Sequence, residues 1–127
     1  MSTVDTHAVV FADADGVIRF WSPGAERLFG WPASEAIGQS LDLIVPEKFR
    51  AKHWAGFRRA VETGAARNSG GRTNIPVVCR DGVVRPLPGT FYFLTDGHGV
   101  GIGAIAIWGD PVGGAEVFGP ILPRPGT

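Results

Sequence analysis

The side chain best placed for chemistry in this chain is His53. Phe49, His53, Phe57 and Val61 recur every four residues, and Gly56 and Ala60 fall on the same stripe, which puts the imidazole on the apolar face of a helix. An imidazole there has two uses. It is either a hydrogen-bonded core group or a neutral nitrogen ligand for a metal. The other two histidines, His7 and His98, lie near a terminus and in a turn, where solvent exposure is the ordinary state. Cys79, the single cysteine, reads as a small strand residue with nothing nearby in sequence to hold a thiolate. Asp13 and Asp15 are turn residues, not a catalytic carboxylate pair. There is no phosphate-cradling loop, zinc spacing or nucleophile elbow, and no enzyme activity is expected.

The elements that must position His53 are short except for one. His7 to Ala12 and Val17 to Trp21 flank the turn Asp13-Ala14-Asp15-Gly16 and predict a β-hairpin. Ser22-Pro23 starts a short helix that Gly30 stops, and further helical pieces follow at Pro32 to Gly38 and Leu41 to Val45. The long helix is predicted from Pro46 to about Thr63, with Gly64 after its end. Three strand-like segments then run roughly over Arg72 to Arg80, Val83 to Leu94 and Val100 to Trp108, joined by Asp81-Gly82 and Asp96-Gly97-His98-Gly99. Two strands, helices, then three strands is an α+β order with an antiparallel sheet. This gives a tail over 1–6, one domain over 7–110 and a Gly/Pro-rich extension over 111–127, in which Val117, Phe118, Ile121 and Leu122 could pack against the body or a second subunit.

With 127 residues there is room for one core, and 12 basic against 12 acidic side chains give no net charge. Neither nucleic acid nor a membrane surface is an expected partner. The lone cysteine, the lack of a signal peptide and the short apolar runs point to a cytoplasmic protein. The chain opens on Met1; read as complete, it has no output domain and must signal through a partner.

The word order resembles the PAS family. Asp13-Ala14-Asp15-Gly16-Val17-Ile18 with Trp21-Ser22-Pro23-Gly24-Ala25-Glu26-Arg27-Leu28-Phe29-Gly30-Trp31 resembles its opening hairpin and first helix, with Ser22 where the family often has asparagine. Glu35-Ala36-Ile37-Gly38-Gln39-Ser40 and Cys79-Arg80-Asp81-Gly82 resemble later segments, so that the likeness covers about Ala8 to Asp110. It implies a PAS fold: a five-stranded antiparallel sheet with short helices and one long helix enclosing a pocket. Cys79 lies in a strand before a turn, unlike the reactive helix cysteine of the family's flavin-binding light sensors.

Within the family, Val45 to Gly64 is similar to the long helix of haem-binding PAS sensors of the FixL type. The resemblance implies haem b as cofactor, His53 as its iron ligand, Arg59 as the partner of a propionate and Arg72, after Gly71, as a distal donor. Phe49, Gly56, Phe57 and Ala60 on the helix, and Ile75, Val77, Phe91, Phe93, Ile105 and Ile107 on the sheet, would line the cavity, with Gly89 reducing bulk on the distal wall. Counting back from Asp81-Gly82 places Thr73 instead at the distal position, unless a bulge at Pro76 restores the phase. The expected function is sensing of a diatomic gas (O2, CO or NO) or of redox state, signalled through a partner protein or a homodimer. The alternatives are a cofactor-free interaction module, with His53 in the core, and a sensor of a small metabolite.

Overall fold

The computed structural model describes residues 6–66 and 69–109. The predicted extension over 111–127, including Val117, Phe118, Ile121 and Leu122, and nearly all of the predicted tail lie outside the described residues. Five strands, β1 (Ala8–Asp13), β2 (Ile18–Trp21), β3 (Thr73–Val78), β4 (Val84–Thr95) and β5 (Gly101–Trp108), form one antiparallel sheet in the order β2-β1-β5-β4-β3. Between β2 and β3 run α1 (Pro23–Phe29), α2 (Ala33–Ala36), two 3-10 turns (Leu41–Leu43 and Glu47–Phe49) and α3 (Arg50–Thr63).

The entry to α1 is tied to the sheet by one hydroxyl. Ser22 Oγ accepts from the backbone N–H groups of Val9 (2.8 Å) and Ala25 (3.2 Å) and donates to the carbonyl of His7 (3.1 Å). It thus caps the helix and closes the backbone of β1 in a fully buried position. A side chain at Gly24 would run into the His7 carbonyl. So held, α1 lays Ala25 and Phe29 on the sheet, and the Phe29 ring meets Trp21 and Trp108 edge-on at centroid distances of 5.6 and 5.0 Å. Ala8, Val10, Ile18, Ala36, Ile44, Val77, Cys79 and Leu87 belong to the same buried core.

The long helix is shorter than predicted because its first turn is a 3-10 turn. Arg50 reaches back from the start of α3 to the carbonyls of Val45 (3.1 Å) and Asp42 (3.2 Å), fastening the two segments together. At the other end Gly64 adopts a left-handed conformation, φ 76°, which stops the helix. β3 is also shorter than predicted: the Cys79 N–H bonds to Val83 and the Gly82 N–H to Cys79, so the turn already begins at Cys79.

Replacing Ser22 by alanine strands two buried N–H groups and a carbonyl. Ser22→Ala is expected to lower stability by about 2–4 kcal/mol, measured as a drop in the urea midpoint; an unchanged midpoint would show that the hydroxyl is dispensable.

Candidate functional site

The strand register decides which side chains face the helices. Directly paired residues share a face, and β4 meets β5 through Gly89↔Trp108, Phe91↔Ala106 and Phe93↔Ala104. Trp108 packs on Phe29, so Phe91, Phe93, Ala104 and Ala106 lie on the helix side. Ile105 pairs with Tyr92 and Phe11, and Ile107 with Thr90 and Val9, on the opposite face. The expectation that Ile105 and Ile107 line the cavity is therefore corrected.

The cause is one extra residue. Leu94 pairs with Gly103 but Thr95 pairs with Gly101, so Ile102 is unpaired and β5 bulges. Counted from the turn without that bulge, Ile105 would stand opposite Phe91. Gly103 makes the bulge possible: it has φ 146°, and a side chain there would strike the Ala12 carbonyl.

Facing this side of the sheet, His53, Phe57, Ala60 and Val61 share one stripe of α3. That stripe touches the sheet where a Cβ on Gly101 would lie 2.7 Å from Phe93 Cζ and 3.2 Å from Val61 Cα. His53 is half-buried, but its Nδ1 is fully buried and has no hydrogen-bond partner. Burial pushes the imidazole below the ordinary histidine range, against the raising influence of the nearby Asp42 carboxylate. Burial thus favours the neutral ring, the form that binds metals. Its neighbours are Trp54, edge-on at 4.7 Å, and Phe57 at 5.8 Å.

The sheet beneath is unevenly covered. Val77, Leu87 and Trp108 are buried in the α1 core, whereas Thr73, Ile75, Phe91, Phe93, Ala104 and Ala106 on the same face are only half-buried. Apolar surface left partly uncovered in this way is the kind on which an apolar ligand gains contacts.

Several expected residues stand elsewhere. Val77 belongs to the core under α1. Phe49, at the end of a 3-10 turn, turns away from the His53 stripe into an apolar groove of about 550 Å³ with Pro46, Pro76, Val84 and Pro86. Gly89 does not enlarge the distal wall, since the position of its absent Cβ is 3.0 Å from Trp108 Cδ1 and 3.2 Å from Ile75 Cδ1, which fill that space. The β3–β4 register is unbroken across Pro76, so Thr73 shares the face of Ile75 and Val77; Arg72 precedes the strand and is exposed. The phase restoration expected from a bulge at Pro76 does not occur. Arg59 is exposed, and so is Gly56, where a Cβ would meet no atom within 4 Å.

Sequence reasoning missed Ala104 and Ala106, for which Gly101 and Gly103 flanking Ile102 were the available signal. It also passed over Trp54 and Asp42. Among the described residues no group of three or more His, Cys, Asp or Glu side chains could hold a bare metal ion, and no helix is long and apolar enough to cross a membrane.

The PAS fold family matches residues 6–111, and the chain belongs to that family. It is similar to the Sensor protein FixL of Bradyrhizobium diazoefficiens, with 46% identity over 46 residues, 36% of this chain. It is also similar to the Oxygen sensor protein DosP of Escherichia coli, with 33% identity over 75 residues, 59% of this chain. Each match spans 9% of the relative's own length. Among solved structures, the PAS domain of a Colwellia psychrerythraea protein superposes with a TM-score of 0.68 at 23% identity, covering 83% of this chain and 86% of that one. The chain is a PAS sensor domain.

Gly103→Ala tests the bulge. Strain at φ 146° and the Ala12 carbonyl together should cost at least about 2 kcal/mol, read from urea unfolding; wild-type stability in this variant would refute the assigned backbone.

Proposed function

We propose that this domain binds haem b between α3 and the sheet and senses a diatomic gas or a change of redox state. The observation that carries the proposal is the pairing of a half-buried imidazole on α3, whose Nδ1 is buried without a hydrogen-bond partner, with a half-buried apolar sheet face. A porphyrin provides four of the iron's ligands itself, so one histidine suffices where a bare ion would need a cluster. The likeness to FixL and to the oxygen sensor DosP supports the same reading.

In this reading His53 is the iron's protein ligand. Phe57 and Ala60 flank it on α3, and Gly56 leaves open space beside the helix. Ile75, Phe91, Phe93, Ala104 and Ala106 offer the apolar floor, and the two alanines keep that floor low. Arg59, exposed on α3, is the cation at the rim for a propionate. Thr73, on the helix side at the start of β3, is the polar group of the distal side in place of Arg72. A bound haem would supply an iron that takes up a diatomic gas or changes oxidation state. The protein's share is to orient the imidazole, keep water from the apolar floor and couple α3 to the sheet. Cytoplasmic signalling through a homodimer or a partner protein completes the proposal.

The opposite face of the sheet supports a second reading, a cofactor-free interaction module. Phe20 and Tyr92 there are 45% and 44% exposed, beside Ile105 and Ile107, with the Asp13–Arg19 ion pair at the edge of the patch.

Purification with ample haem should give a protein with a Soret band, and His53→Ala should abolish it or weaken haem binding at least about tenfold. A band that survives His53→Ala unchanged overturns the assignment of the ligand. Wild-type protein that stays colourless selects the second reading, and native mass spectrometry would then reveal any small metabolite in the cavity.

A further inference from the structure

The residue after His53 is an indole held from three sides. Trp54 Nε1 donates to Asp42 Oδ1 at 2.7 Å. Its six-membered ring occupies the space where Gly16 would carry a side chain, and Gly16 is fixed at φ 78° in the β1–β2 turn. Its faces and edges meet His53 at 4.7 Å and Phe57 at 5.5 Å, with interplanar angles of 76° and 71°. Asp42 is fixed in turn, because Arg50 Nε stands 3.9 Å from the same oxygen while the guanidinium bonds to the carbonyls of Val45 and Asp42.

We propose that Trp54 and Asp42 form a positioning clamp for His53: the indole fixes the imidazole's orientation, and the carboxylate sets how strongly that imidazole donates to iron. The inference rests on the haem reading above and adds to it a pair of positioning residues. A ligating imidazole must be aimed before it binds, and a ring wedged between two aromatic neighbours, one of them hydrogen-bonded and seated on a glycine, has few rotamers left to it. A negative charge close to such an imidazole raises its basicity and favours the more highly charged iron, so it lowers the midpoint potential. Asp42 is one ring removed from His53: its Oδ1 lies 2.7 Å from Trp54 Nε1, and that indole stands 4.7 Å from the imidazole.

Two conservative variants separate the two roles. Asp42→Asn keeps an acceptor oxygen for Trp54 and removes the charge; Trp54→Phe keeps a ring over Gly16 and removes the donor. In haem-loaded protein Asp42→Asn should raise the midpoint potential with little loss of haem affinity, and Trp54→Phe should weaken haem binding about tenfold. In the haem-free protein, the His53 ring should give one set of NMR signals in the wild type and broadened or multiple signals in Trp54→Phe. An unchanged potential in Asp42→Asn together with unchanged affinity in Trp54→Phe overturns the clamp while leaving the haem reading intact. Wild-type protein that takes up no haem defeats the haem reading itself. In that case the NMR comparison decides alone, and a single His53 conformer that persists in Trp54→Phe overturns the clamp.

Discussion

One unpaired residue in β5 governs what lies under α3. Because Ile102 bulges between Gly101 and Gly103, every later side chain of that strand changes face relative to an unbulged hairpin. Alanines instead of isoleucines then meet Phe91 and Phe93 on the helix side, and the apolar bulk of Ile105 and Ile107 is carried to the other side of the sheet. A strand with two isoleucines facing α3 would fill the space that Ala104 and Ala106 leave. The bulge exists only because Gly103 accepts a backbone conformation and a proximity to the Ala12 carbonyl that no other residue tolerates without strain.

The helix-facing side of the sheet is consequently divided in two. Under α1 it is sealed, with Phe29 interlocked between two tryptophans and Ser22 closing the backbone at the helix entry. Under α3 it is not. That helix is fastened near its start, through Arg50 and Trp54, and near its end, where Val61 and Phe93 crowd Gly101. His53 lies within the first of these fastenings, between Arg50 and Trp54. On the proposed reading, an occupant would act on the α3 half of the sheet against the sealed α1 half.

The fold was largely legible because its signals are local. Turn pairs such as Asp81-Gly82, the Ser22-Pro23 helix start and the Gly30 and Gly64 stops each act within a few residues, and the structure places elements at all of them. His53 was legible by helical periodicity, and Phe91 and Phe93 by alternation. The failures are all matters of phase or of distant neighbours. Alternation from the hairpin turn gives the wrong face for Ile105 and Ile107 since a bulge adds one residue, and Phe49 drops off the stripe because a 3-10 turn advances the chain by a different angle from an α-helix. Gly89 suggested room, but Trp108 and Ile75 fill the space; only tertiary packing determines that. The roles of Trp54 and Asp42 depend on bringing three separated segments together around Gly16, which no window of sequence displays.

The most direct test of this account is a crystal structure of the protein loaded with haem. The account predicts a porphyrin between α3 and the half-buried face of the sheet, with His53 as the iron's protein ligand and Ala104 and Ala106 beneath the ring. A porphyrin bound elsewhere, an iron ligated without His53, or a β5 in which Ile105 and Ile107 face α3 would contradict it.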